Sequence, residues 1–93
     1  MASKFLIHTK DDFVGVATED ISKGEKAEGV FMDSLKKLQI EACDNVPLGH
    51  KIALREMKKG DKVVEYGEPI GEVSQDIKAG AHVHVHNIKS MRW

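Results

Sequence analysis

Short runs rich in β-branched residues, some alternating with polar ones at a period of two, mark Lys62-Val63-Val64-Glu65-Tyr66 and His82-Val83-His84-Val85-His86. Successive side chains of an extended chain point to opposite faces, so both runs predict strands. Similar short segments cover Phe13 to Ala17, Glu25 to Phe31, His50 to Leu54 and Pro69 to Val73. None is long enough for a helical stripe to outweigh the strand reading.

Between these segments one pattern recurs three times: Asp20-Ile21-Ser22-Lys23-Gly24, Glu56-Met57-Lys58-Lys59-Gly60 and Asp76-Ile77-Lys78-Ala79-Gly80. The acid can accept local backbone N–H groups, the apolar residue can plug inward, and the glycine can take a positive φ. The intervals between copies are unequal, which makes this a recurring corner and not a solenoid repeat. Tyr66-Gly67-Glu68-Pro69 and Pro47-Leu48-Gly49 signal further turns, and Pro69 is expected to begin a strand or lie on an edge. In the stretch from Val30 to Gln39, Asp33-Ser34-Leu35-Lys36-Lys37-Leu38 reads either as a hairpin turn or as a single helical turn between strands. The expected fold is mainly β, a small barrel or clip of short strands in one domain spanning residues 1–93.

Fifteen acids against fourteen bases leave a formal charge of −1, so no overall field attracts nucleic acid or anionic lipid. The stretch from Ala79 onward departs from this balance, with Lys89, Arg92, three histidines and no acid. Cys43 is the single cysteine, which excludes an internal disulfide and suits a reducing cytoplasm. No segment approaches the roughly 20 apolar residues of a membrane span.

Candidate chemistry gathers at two places. A strand over His82–His86 would project three imidazoles from one face, where they could bind a metal or move protons near neutral pH. Neighbouring alternates in a strand lie about 7 Å apart, so one or two of them sharing a site with ligands from another chain fits better than all three on one ion. A plainer reading also stands, with some of these rings facing solvent and the others bonded locally. At Gly49-His50-Lys51 a turn places an imidazole beside an ammonium, a pair suited to a carboxylate, or simply two solvated loop residues. Cys43 reads as a small buried hydrophobe, since nothing nearby activates its thiol.

Taken in order, Gly49-His50-Lys51 with Ala53-Leu54, then Val64-Glu65-Tyr66-Gly67-Glu68-Pro69-Ile70-Gly71, then Gly80-Ala81-His82-Val83-His84-Val85-His86-Asn87 resemble the SAF domain of the altronate and galactarate dehydratase family. The resemblance is strongest from Val46 to the end, and the corner at Asp20–Gly24 extends it toward the N-terminus. It implies a β-clip fold and a small subunit that completes the active site of a large catalytic subunit. The implied reaction eliminates sulfite or water from a small hydroxy acid to give a 2-keto acid, with a divalent metal, often iron. It further implies that His84 and His86 act in catalysis or bind the metal, with other ligands from the partner, and that His50, Lys51 and Asn87 bind substrate. Met91 to Trp93 are expected to dock on the partner chain. A noncatalytic sugar-acid-binding or assembly module is the competing reading, and the histidine run argues against it.

Overall fold

The computed structural model describes residues 3–84 and 86–90. Among them are nine strands and no helix: β1 (Phe5–Ile7), β2 (Val14–Ala17), β3 (Lys26–Phe31), β4 (Lys37–Glu41), β5 (Lys51–Ala53), β6 (Lys62–Glu65), β7 (Glu68–Val73), β8 (His82–Val83) and β9 (Ile88–Ser90). The mainly β expectation holds. Six strands form one sheet in the order β4-β3-β1-β2-β5-β8, and three form a second in the order β6-β7-β9. All pairs are antiparallel except β1 with β3, where Phe5 lies opposite Gly29. The Phe5 ring occupies the space a Cβ at Gly29 would need, so glycine there is what admits the buried aromatic.

The stretch from Val30 to Gln39 is a hairpin whose loop holds a single helical-type bond, from the N–H of Leu35 to the carbonyl of Phe31 at 2.7 Å. Leu35 takes a φ of 60° in it, and the N–H of Phe31 donates to the carbonyl of Lys36 at 2.8 Å. Tyr66 and Gly67 both have positive φ, the two-residue turn that matches the twist of a hairpin. Pro69, expected to begin a strand or lie on an edge, is the second residue of β7, the middle strand of its sheet, but it precedes the Gly71–Val73 stretch that pairs with β9, so its missing N–H costs that ladder nothing.

The corners are where the fold closes, and there are four of them. The one not visible in the repeat is Asn45-Val46-Pro47-Leu48-Gly49. Corners meet in pairs, with Ile21 bridged to Val46 and Met57 to Ile77. The acids were expected to accept N–H groups of their own corner. Instead Asp20 accepts from Leu48 at 2.8 Å and Asp76 from Lys59 at 2.9 Å, while Asn45 returns the first bond by accepting from Lys23 at 2.8 Å. A short side chain one residue before the bridge reaches across to the opposite turn more easily than back along its own.

Each corner pair seals one core. Ile21 and Val46 close a cluster containing Phe5, Ile7, Ala17 and Ile52; Met57 and Ile77 close another containing Val14, Ala53, Val63 and Val83. Fully burying side chains of this size contributes about 1.5–3 kcal/mol each. Adjacent residues of β5 serve different cores, Ile52 the first and Ala53 the second. That strand therefore lies on the seam, and the residues that lead into it stand where the two halves meet.

Candidate active site

Lys51 opens β5 with His50 just ahead of it, and the corner before them sets their position. Gly49 has a φ of 85°, its N–H donates to the carbonyl of Ala17 at 2.8 Å, and the N–H of His50 donates to that of Pro47 at 2.9 Å. Opposite them β8 pairs with β5, placing His82 across from Ile52. The N–H of His82 donates to the Asp44 carboxylate at 3.1 Å, which ties its start to the chain entering the second corner.

The expected strand over His82–His86 is cut short. It ends at Val83, and a turn follows in which the carbonyl of His84 accepts from the N–H groups of Asn87 and Ile88, both at 3.1 Å. Asn87 builds this turn: its side-chain oxygen accepts from the N–H of His84 at 3.0 Å, and its amide donates to the carbonyl of His82 at 2.8 Å. The side chain is buried and engaged at both ends. Val85, expected to pack opposite the imidazoles, and Met91–Trp93, expected to dock on a partner, lie outside the described residues.

The turn, and not strand alternation, gathers the rings. Nδ1 of His50 lies 2.8 Å from Nε2 of His82, so one nitrogen carries the proton that the other accepts. The ring of His84 stacks on that of His50, with centroids 4.2 Å apart and planes at 24°. One nitrogen from each of His50, His82 and His84 lies within 4.8 Å of the other two. Imidazoles about 2.1 Å from one cation at right angles would stand about 3 Å apart, so the three nitrogens would have to draw closer to share a single ion. An all-nitrogen set of this kind suits zinc, iron or another first-row metal better than magnesium or calcium. His84 belongs to this trio and His86 does not. The ring of His86 is tilted 38° against His82 at 5.1 Å, and it lines a separate shallow depression of about 380 Å³ with Cys43, Asp44, Gln75 and Asn87.

Two of these rings, His82 and His84, favour the uncharged form. Burial and then the neighbouring His86, His50 and His84 push the pKa of His82 below the usual imidazole value; burial, His50, His86 and Lys51 do the same at His84. Neutral imidazole is the form that binds metal or accepts a proton. These two rings titrate lower in the folded chain than in the unfolded one. Below about pH 6.5 the unfolded chain therefore takes up protons that the folded chain refuses. With a chelator present, the stability of the chain is expected to fall as pH drops through 6.5 toward the lowered values. Replacing both His82 and His84 by glutamine should flatten that part of a urea-denaturation pH profile.

Lys51 joins this cluster to a second group that sequence reasoning did not single out. Its ammonium lies 3.8 Å from Glu65, whose other carboxylate oxygen lies 3.8 Å from Nε2 of His8. Glu65 is only 8% exposed, and His8 is stacked on Tyr66 with centroids 3.7 Å apart. One signal was available: Glu65 falls on the same face of its strand as buried Val63, an inward position where an acid is costly. His8 offered none. Cys43, expected to be buried, is only half-buried against the second core, its thiol pushed up by burial and then by Asp44, with Sγ 3.8 Å from the carbonyl of Ala79. No helix among the described residues is long and apolar enough to cross a membrane.

The model of the altronate/galactarate dehydratase SAF domain matches residues 3–91. The chain is similar to (2R)-sulfolactate sulfo-lyase subunit alpha of Chromohalobacter salexigens, with 43% identity covering 100% of both chains. It is 46% identical over 55 residues to the protein of that name from Paracoccus pantotrophus, covering 59% of this chain and 82% of that one. Altronate dehydratase of Bacillus subtilis is 48% identical over 97% of this chain, which spans only 17% of that longer protein.

Proposed function

Since the chain belongs to the altronate/galactarate dehydratase SAF domain family, we propose that it serves as the small subunit of a two-component lyase. The reaction eliminates sulfite or water from a small hydroxy acid to give a 2-keto acid. One observation carries this reading: the chain matches a relative named as a subunit alpha from end to end, yet matches only 17% of a dehydratase in which the same region is part of a longer chain. A large catalytic subunit would then supply what the longer relatives hold in one polypeptide.

Such an elimination breaks the C–H bond α to a carboxylate, and the β substituent leaves with its bonding pair, as sulfite or, once protonated, as water. The resulting enol takes a proton at its β carbon to become the keto acid. An α proton is weakly acidic near neutral pH, so charge must be stabilised as it develops. Lys51 pairs with the carboxylate, holding that carbon beside the imidazoles. His50, His82 and His84 would hold a divalent metal, in this family reading iron, which would supply Lewis acidity against the enolate charge. His86, outside the trio but beside His82, is placed to relay protons to and from it. The cytoplasm, with its reducing poise, is the compartment that suits a chain whose one cysteine is free.

The test is an assay of the complex, copurified with its large subunit, for sulfite and for 2-keto acid. Sulfite released from sulfolactate together with pyruvate assigns the sulfo-lyase branch, and keto acid from altronate or galactarate assigns the dehydratase branch. A stable complex that yields neither product from any of the three acids would remove the lyase reading.

A further inference from the structure

We infer that the tips of two hairpins, Leu35 with Met32 on one and Tyr66 on the other, form the surface on which the large subunit docks. The inference rests on the two-subunit reading for the identity of the partner, but its geometry lies apart from the imidazole trio.

Among the described residues, two that carry a Cβ take a positive φ, Leu35 at 60° and Tyr66 at 57°. Left-handed backbone is strained for both, and a hairpin tip ordinarily gives such a position to glycine or asparagine. Both also hold a large apolar side chain out in water, Leu35 75% exposed and Tyr66 65% exposed. Neither the turns nor the cores gain from this choice. Tyr66-Gly67 stands where Asn-Gly would suit the turn best, and Leu35, Met32 and Tyr66 belong to neither core. Strain and apolar exposure at the same two positions point to a body outside the chain that receives them.

One short segment joins the two tips. The N–H of Met32, itself 52% exposed, donates to the carbonyl of Ile7 at 2.8 Å, and the N–H of Lys10 donates to the Asp33 carboxylate at 3.2 Å. Between these bonds His8 stacks on Tyr66, and beyond them Asp12 accepts from the N–H of Gly67 at 3.3 Å. The surface continues toward the site, because Glu65, next to Tyr66, lies 3.8 Å from Lys51, which follows His50 of the trio. A chain seated on both tips therefore ends beside the imidazoles, where the lyase reading needs the large subunit. Charge describes the partner's side of the contact. Lys10 and Lys36 line a hollow of about 170 Å³ beside Leu35, and neither pairs with an acid among the described residues. A second copy of this chain would bring the same lysines to the contact, whereas a large subunit with an apolar centre and an acidic rim complements both features.

The test measures the affinity of this chain for the purified large subunit, and the melting temperature of the chain alone, for Leu35→Asn and Tyr66→Asn. Asparagine accepts left-handed backbone and removes the apolar side chain. Each variant is expected to bind about tenfold more weakly or worse, the scale of a residue central to an interface, while melting no lower than the unsubstituted chain. Saturating amounts of either variant should restore the unsubstituted kcat. Unchanged affinity in both variants, or weaker binding that tracks a lowered melting temperature, would overturn the docking surface and leave the lyase reading untouched. So would self-association of the unsubstituted chain in sedimentation that Leu35→Asn abolishes. Weakened binding, as expected, to a large subunit whose complex forms no 2-keto acid would instead remove the lyase reading and leave the surface standing.

Discussion

Replacing His82 by alanine is expected to lower turnover of the reconstituted complex by about 10²- to 10⁴-fold, the range over which positioned acid–base and metal-binding groups act. His82 stands at the centre of the cluster, 2.8 Å from the His50 nitrogen and flanked by the rings of both His84 and His86. Its loss removes one of three converging nitrogens and the partner that fixes the His50 ring. The fold should tolerate it, because the side chain belongs to neither core. A stability change within about 1 kcal/mol would move the melting temperature by roughly 4–8 °C in a domain of this size. His86→Ala is the internal control, since His86 stands outside the trio and should keep bound metal at the unsubstituted level. Metal content by mass spectrometry, read beside kcat, separates the two variants. A His82→Ala complex with normal metal content and normal kcat would remove the trio as the site.

Gly80→Ala should be the most damaging single-methyl change at the corners. Gly80 has a φ of 87°, and a Cβ there would overlap the backbone carbonyl of Glu41. The backbone cannot retreat, because the N–H of Gly80 donates to Ala53 at 2.8 Å and its carbonyl accepts from Cys43 at 2.9 Å. Left-handed backbone strain of about 1–2 kcal/mol adds to an overpacking cost of about 1–3 kcal/mol. Together they predict a loss of about 2–5 kcal/mol, and a melting temperature lower by at least about 8 °C. Gly60→Ala provides the comparison. Its φ of 94° carries the same strain, but nothing lies within 4 Å of the added methyl, so only the smaller cost is expected. Equal losses at the two positions would show that the crowding at Gly80 relaxes freely.

The corners were legible because each combines an inward apolar residue with a glycine at a fixed offset, and both features answer local backbone demands. Even so, the corner at Asn45–Gly49 escaped the repeat, because asparagine replaces the acid and Pro47 resembles an ordinary turn. Pairing between corners was not legible, since Ile21 and Val46 meet only once distant segments have folded. Phe5–Ile7 is too short to show a period, and its parallel partner β3 cannot be inferred from any turn. At the site, the histidine run and His50-Lys51 announced their chemistry through residue type alone. Their convergence was hidden in the turn at His84–Ile88, which Asn87 holds, and in a contact between residues 32 positions apart. The strand expectation therefore named the right neighbourhood with the wrong geometry. The family resemblance carried the partner and the reaction, which no spacing within this chain encodes.

The central claim is that this chain completes an active site that the large subunit cannot form alone. It is tested most directly by titrating a fixed amount of purified large subunit with this chain and following 2-keto acid formation. Activity should rise from near zero and level off at a fixed molar ratio of the two chains. A large subunit that is fully active before any of this chain is added would contradict the account.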